Sequence, residues 1–414
     1  MRVVLSTYGS RGDLEPLAAL AVKLIGLGHE AVVCTPPDDD FVSLLERVGV
    51  PLVPAGQPVK EMIAEVSRKQ GPNVGRRLPL EELQFRARRM VATQYEAVMA
   101  AAGADGDVVV GTGLMPAACG ARSAADQLGI GWVSVRFQPT TLPTGAHRPY
   151  PYPGRPLPEG ETDNHQLWEY DRQTMKVVFG GVFDEHRATV GLPMVDDVRA
   201  YVFTDRPWLA ADPVIAPWPG DSDLDVVQTG AWILPDDRPL PPGLVEFLDA
   251  GEPPVYVGFG SMGLQQNLTG AGRDAIEAAR SHGRRVVLGS GWAALELHDD
   301  QDDCFAVGEV NQQTLFARCA AIVHHGGAGT TTTATRAGRP QVIVPQVVDQ
   351  PYFAGRVAEL GIGVAHEGSV PTLESLTTAL RTVLSPELSA RAREVAGSVS
   401  EQGTSVAAGL LSAL

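Results

Sequence analysis

The sequence predicts an α/β protein of two domains, each a parallel sheet covered by helices. Three observations carry that expectation. Short apolar runs alternate with amphipathic helical stretches in both halves of the chain, the pattern of βαβ units. A proline-rich stretch at residues 213–242 interrupts this alternation. The 414 residues also exceed what one core usually serves, so two domains of roughly 200 residues are expected.

The first domain opens on the apolar residues 3–7, which read as a buried strand. Gly9-Ser10-Arg11-Gly12-Asp13 is a turn, and residues 15–27 form a helix with Leu17, Leu20, Ala21 and Leu24 on one face. Residues 30–35 make a second strand, Leu44-Leu45 lies in a short helix, and residues 49–54 make a third strand. Val108-Val109-Val110 and Trp132-Val133-Ser134-Val135 continue the same sheet. Residues 54–83, with Lys60, Arg68, Lys69, Arg76 and Arg77, and the proline-rich residues 139–160 are long polar interruptions. Such segments above parallel strands are either solvated insertions or ligand-binding loops.

Past the proline-rich linker, in which residues 226–230 have strand character, a second alternating run begins. Residues 255–259, 285–288, 304–307, 320–324 and 341–344 read as five strands. The expected first domain is 1–212, the linker 213–242 and the second domain 243–388. In two such domains the C-terminal ends of the strands are expected to face each other across a cleft, where open α/β sheets bind ligands.

A formal net charge of −16, from 49 acidic and 33 basic residues, argues against nucleic acid and anionic membranes as main partners. A span of about 18 apolar residues is absent, so no integral membrane association is expected. The N-terminus runs directly into a strand pattern rather than a signal peptide. Cys34, Cys119, Cys304 and Cys319 lack metal spacing and suit buried thiols in a reducing compartment. A cytoplasmic protein is the expected setting.

The most informative chemistry lies at His325-Gly326-Gly327-Ala328-Gly329-Thr330, between an apolar strand and a threonine-rich helix. Free amides of a first helical turn point outward, and glycine lets a phosphate approach the backbone. His325 adds a third donor or a positive charge, while His324 is expected to be structural. Asp13 either caps the following helix or, if it faces a cleft, takes a proton from a hydroxyl nucleophile. Asp349-Gln350 begins a helix after the strand at 341–344. The aspartate is a cap, or the pair meets the vicinal hydroxyls or the amine of a sugar. Gly260-Ser261 ends a strand where a hydroxyl reaches a phosphate, and Val310 follows Glu309 in a loop suited to backbone contacts with a base. Structural turns are the alternative for both. Asp38-Asp39-Asp40 and Asp221, Asp223 and Asp225 are read as solvated loops rather than metal ligands, and no metal site is expected. The Gly9–Asp13 turn departs from the G-x-G-x-x-G fingerprint of nicotinamide enzymes. It also gives no support to a nonhydrolysing sugar epimerase.

Taken in order, Ser10-Arg11-Gly12-Asp13, residues 226–235, residues 253–261, Gly308-Glu309-Val310-Asn311, His324 to Thr330 and Asp349-Gln350-Pro351-Tyr352 resemble the UDP-glycosyltransferase-like family of GT-B fold. The resemblance covers nearly the whole chain and leans to actinobacterial enzymes that glycosylate vancomycin-type antibiotics. It implies two Rossmann-like domains facing across a cleft, an inverting single displacement and no catalytic metal or other cofactor. The position of Asp13 is implied to be the general base, with Ser10, Arg11 and Gly12 beside it. Gly260, Ser261 and His325 to Thr330 (Gly326, Gly327, Ala328 and Gly329 included) are implied to hold the donor diphosphate, Val310 the nucleobase, and Asp349 and Gln350 the sugar.

The same resemblance implies a nucleotide-sugar donor, a dTDP-sugar or UDP-sugar, and a natural-product aglycone acceptor bound by the first domain. The Thr330–Thr333 run leans toward a deoxyaminosugar. A UDP-glucose donor, a macrolide or polyketide acceptor, and a non-catalytic nucleotide-sugar-binding auxiliary protein are the alternatives. Residues 389–414 are implied to form a terminal helix returning to the first domain. A monomer is compatible with all of this.

Overall fold

The computed structural model describes residues 1–70, 79–102, 106–152, 154–259, 270–289 and 301–414. The chain forms two compact units. One contains Met1–Ala211, Pro217–Leu234 and Glu401–Leu414, and the other contains Asp212–Ala216 and Pro235–Ser400.

The first unit holds a parallel sheet of seven strands: β1 (Arg2–Ser6), β2 (Glu30–Thr35), β3 (Leu52–Pro54), β4 (Val108–Gly111), β5 (Gly131–Arg136), β6 (Trp208–Leu209) and β7 (Val227–Gln228). Their spatial order is β3-β2-β1-β4-β5-β6-β7. The order reverses between β1 and β4, and ligands of open α/β sheets bind beyond the strand ends at such a point. Period-two alternation explains the covering on both faces. Val3 and Leu5 of β1 pack with Leu14, Leu17, Leu20 and Leu24 of the helix Arg11–Gly26. Val4 points the other way, among Ala97, Val98 and Ala101 of the helix Leu80–Ala102. Burying each such leucine contributes about 1.5–3 kcal/mol.

The second unit repeats the design with β8 (Val255–Gly258), β9 (Val286–Gly289), β10 (Cys304–Val307), β11 (Ala321–His324), β12 (Gln341–Ile343) and β13 (Gly363–Ala365). Their order β10-β9-β8-β11-β12-β13 places the reversal between β8 and β11. The glycine turn after β11 therefore starts at the switch point of this unit. Val257, Leu288, Val323 and Val342 pack on one face against Ile276, Leu376 and Leu380.

Several elements differ from expectation for local reasons. The first helix starts at Arg11 rather than residue 15, because a capping box anchors its first turn ahead of Pro16. Residues 54–83 contain the helix Val59–Gln70 and lead into Leu80–Ala102, where an amphipathic pattern is hidden among glycines, prolines and basic side chains. Residues 217–234 join the first unit and supply β7, so this part of the proline-rich stretch is built into a sheet. β13, short and opened by Gly363, gives too little apolar signal to be read in advance. The terminal segment forms two helices, Pro386–Ala396 and Gly403–Leu411, broken around Gly397 and Gly403. Ala407, Ala408 and Leu411 of the last helix enter the core of the first unit. All four cysteines are buried free thiols. Among the described residues, no helix is long and apolar enough to cross a membrane.

Candidate active site

In the first unit, β1 runs through the buried Thr7 and Tyr8 into the turn that carries Asp13. The Ser10 hydroxyl accepts from the Gly12 amide at 3.2 Å. Asp13 Oδ2 accepts from the Ser10 amide at 2.8 Å and from the Ser10 hydroxyl at 3.1 Å. This capping box means that Asp13 does serve the helix end, while its second oxygen is left out of those bonds. Burial pushes the carboxyl above the usual carboxylate range, against the lowering effects of the Ser10 bonds and the Arg136 guanidinium. A carboxylate poised upward is a better proton acceptor than an ordinary one. Arg11 pairs with Glu15 at 3.0 Å along the helix, and Gly12 is exposed.

A side chain at Gly9 would overlap the Asp13 carboxylate. Gly9→Ala is therefore expected to rotate the carboxylate off the Ser10 amide and to lower kcat at least tenfold. Stability should fall by no more than the cap is worth, about 1 kcal/mol, because mainly the movable end of one side chain must yield. Steady-state rates beside a thermal melt check this, and an unaltered kcat would contradict it.

Tyr8 links this turn to a cavity of about 610 Å³ within the same unit. Its hydroxyl donates to the Gln57 carbonyl at 2.9 Å. Met62, Phe85 and Met90 offer apolar lining, and Glu65, Arg86 and Arg89 offer charge. Gly56 sits at φ 72°, where an added Cβ would lie 2.9 Å from the Tyr8 ring. The sequence marked residues 54–83 as a possible ligand loop, but the contribution of the helix Leu80–Ala102 and of Tyr8 was missed. The helix is masked by the basic residues around it, and Tyr8 looks like an ordinary strand end.

In the second unit, β11 ends at His324, which is fully buried. Its Nδ1 accepts from the Gly326 amide at 3.1 Å, so Nε2 carries the proton and donates to Gln341 Oε1 at 2.9 Å. Gln341 continues to Thr335 at 2.9 Å. Burial holds His324 down to about 3, neutral and structural. Gly326 takes φ 91°. Gly327 is the N-cap of the helix Ala328–Arg336, and no side chain caps it. The first-turn amides of Ala328, Gly329 and Thr330 are thus presented by a helix end that carries a positive partial charge.

His325 stands over this turn. A Cβ on Gly327 would come within 2.7 Å of its Nε2. Burial lowers its pKa to about 4, so without an anion the ring is neutral and offers one N–H rather than a charge. Its Nδ1 is buried without a hydrogen-bond partner. An added Cβ on Gly329 would meet nothing within 4 Å. Thr331 and Thr332 turn their hydroxyls back to the carbonyls of Gly327 and Ala328, at 2.9 and 2.8 Å. Thr330 is the threonine of the run that belongs to the open first turn.

Asp349 is at the N-cap position of the helix Gln350–Glu359, but its side chain does not cap it. The residue before it, Val348, is held at φ 56°, a strained conformation for a β-branched residue. Gln350 is buried, and its Oε1 accepts from the amides of Gln346 and Val347 at 2.7 and 3.1 Å, shaping the same loop. Val310 is partly exposed just after β10. The next residue, Asn311, donates to the Asp236 and Arg238 carbonyls at 2.6 and 3.0 Å. Arg238 in turn pairs with Glu309 at 2.8 Å, so the Val310 loop is braced on both sides. Gly260 and Ser261 lie outside the described residues. Among the described residues, no group of three or more His, Cys, Asp or Glu side chains could hold a metal ion.

Comparison with known proteins adds a family to this geometry. The model of the erythromycin biosynthesis protein CIII-like C-terminal domain matches residues 297–407. Two proteins of Amycolatopsis orientalis, Glycosyltransferase GtfE and Vancomycin aglycone glucosyltransferase, are 51% and 50% identical to the chain, over 99% of it and 97% of each relative. The dTDP-epi-vancosaminyltransferase of the same organism is 46% identical, over 95% of the chain and 93% of its own length. In fold, the chain is similar to the solved glycotransferase of kitacinnamycin, with a TM-score of 0.71 at 20% identity over 100% of this chain and 98% of that one. Glycosyltransferase VinC in complex with DTDP gives 0.69 at 22% identity, over 100% and 99%. With two Rossmann-like units and relatives of this identity, the chain belongs to the GT-B fold glycosyltransferases of the vancomycin-type glycopeptide-antibiotic family.

Proposed function

We propose that the protein transfers a deoxyaminosugar from a dTDP-sugar to a hydroxyl of a glycopeptide antibiotic aglycone or intermediate, inverting the anomeric carbon without a catalytic metal. The observation that carries the donor side is the uncapped glycine turn at the switch point of the second unit, with the His325 ring over it. In this reading Asp13 takes the proton of the acceptor hydroxyl as its oxygen attacks C1. The C1–oxygen bond to the diphosphate breaks, and the diphosphate leaves with the electron pair. Amides of Ala328, Gly329 and Thr330 and the N–H of His325 stabilise that charge. Gly260 and Ser261 are assigned to the same diphosphate, Val310 to the base, Asp349 and Gln350 to the sugar, and Ser10, Arg11 and Gly12 to the turn beside the reacting centre. The acceptor is assigned to the first unit, with the Tyr8 cavity as its holding surface, and the setting is cytoplasmic.

A glucose donor is the second reading, favoured by the 50% identity to a relative named as a glucosyltransferase. The test is a panel of dTDP- and UDP-sugars against glycopeptide, macrolide and polyketide aglycones, read by product mass. Deoxyaminosugar on the glycopeptide supports the first reading, and glucose alone replaces it with the second. Binding of donor without any product would favour an auxiliary role.

His325 separates binding from chemistry. If its N–H serves the leaving group, His325→Ala lowers kcat roughly 10²–10³-fold while donor KM changes less. A raised KM with unchanged kcat would restrict the residue to ground-state binding.

A further inference from the structure

We propose that Gln341 is a positioning residue for donor binding: through His324 it closes a buried circuit of hydrogen bonds that holds the glycine turn in the form that receives the diphosphate. This rests on the reading of that turn as the diphosphate site. The circuit begins and ends on adjacent residues of the turn. The Gly326 amide donates to His324 Nδ1 at 3.1 Å, and His324 Nε2 donates to Gln341 Oε1 at 2.9 Å. Gln341 Nε2 donates to the Thr335 hydroxyl at 2.9 Å, and that hydroxyl donates to the Thr331 carbonyl at 2.8 Å. The Thr331 hydroxyl donates in turn to the Gly327 carbonyl at 2.9 Å, the same oxygen that takes the Thr331 amide.

Only one direction of donors fits. A backbone N–H can only donate, so the ring of His324 accepts at Nδ1 and keeps its single proton at Nε2. Gln341 suits both of its neighbours, because one amide offers an acceptor to the ring and a donor to the hydroxyl. Strand β12 sets it there. By its period of two, Gln341 and Ile343 share a face; Ile322 pairs with Gln341 and His324 with Ile343. His324, Gln341, Thr331 and Thr335 are each no more than 1% exposed, on a face where Ile322 and Ala334 supply apolar packing. A place that needed only volume would suit apolar side chains, since a buried polar network is tolerable only when its members are satisfied.

The circuit decides which amides of the turn face outward. The Gly326 N–H is spent inside it. The peptide between Gly327 and Ala328 is planar and trans, so holding the Gly327 carbonyl inward aims the Ala328 N–H the other way. Donors fixed before the anion arrives need no reorganisation when it binds. Thr331 and Thr335 therefore serve the turn from behind, and this part of the threonine run is scaffold rather than sugar contact.

The tautomer is tested without any substitution. In protein carrying 15N-labelled histidine, the His324 ring should show a protonated Nε2 and a bare Nδ1, and the Gly326 amide should exchange slowly with solvent. A proton on Nδ1 overturns the proposal. Gln341→Leu keeps the volume and removes the amide. It is expected to mix the two tautomers and to raise both the Kd for thymidine diphosphate and the donor KM roughly tenfold, with acceptor KM near wild type. A residue that merely stabilised the unit would lower the melting temperature and leave these constants in place, so an unchanged Kd in folded Gln341→Leu overturns the proposal.

His324→Asn is the conservative variant, because an asparagine oxygen can accept from the amide two residues on. It loses the bond to Gln341 but keeps the one to Gly326, whereas His324→Leu keeps neither. His324→Asn should bind thymidine diphosphate near the wild-type affinity and His324→Leu roughly tenfold more weakly; equal affinities overturn the proposal. Failure of the diphosphate reading is separate. It would appear as thymidine diphosphate bound to the wild type away from the turn, with the His324 tautomer and the protected Gly326 amide still in place.

Discussion

Replacing Asp13 by Asn is expected to lower kcat roughly 10²–10⁴-fold, the usual contribution of a positioned general base. Asn is the informative choice because its side-chain oxygen can still accept from the Ser10 amide and keep the capping box. Alanine would also remove a cap worth about 1 kcal/mol. The pH dependence has a definite sign. Burial raises the folded carboxyl above its unfolded value, so the native state binds this proton more tightly. Stability from this group is complete below the unfolded pKa and is lost as pH rises through the folded one. At pH 7 the ionised Asp13 is therefore a cost to folding, and Asp13→Asn should melt no lower than wild type. The wild-type acid limb of kcat/KM should lie above the ordinary carboxylate value of 3.8. Rate profiles and thermal melts of the two proteins check both statements. A variant with full kcat ends the assignment of Asp13 as base.

Gly326→Ala is the second large effect. Its Cβ would come 2.5 Å from Ile343 Cγ2 and 3.2 Å from the Gln350 carbonyl, at a φ of 91° that alanine rarely adopts. Strain of about 1–2 kcal/mol from the backbone and a further 1–3 kcal/mol or so from overpacking should lower stability in chemical denaturation. The turn must then shift, so the Kd for thymidine diphosphate should rise at least tenfold by calorimetry. Gly329→Ala is the control for stability. Its Cβ meets nothing within 4 Å, and its denaturation midpoint should stay near wild type. Equal midpoints for the two variants would contradict the geometry.

The two cases also show what a reader of the sequence can reach. The glycine turn was legible because strand, glycine and helix are adjacent in the chain, and local conformation alone gives it meaning. The same holds for Ser10 and Asp13, three residues apart in one turn, although the sequence left open whether Asp13 caps or reacts. The capping bond is now visible, and desolvation of this half-buried carboxyl pushes it upward. Tyr8 and the helix Leu80–Ala102 escape such a reading, since a cavity wall is assembled from elements that share no local pattern. His325 was read as either donor or charge. Its burial decides for the neutral donor as long as no anion is bound.

In the proposed reaction the donor diphosphate rests on the turn at 325–330. A crystal structure with bound thymidine diphosphate tests it most directly. Phosphate oxygens are expected within hydrogen-bond distance of the amides of Ala328, Gly329 or Thr330 and of the His325 ring. A diphosphate bound elsewhere, with that helix end facing only water, would contradict it.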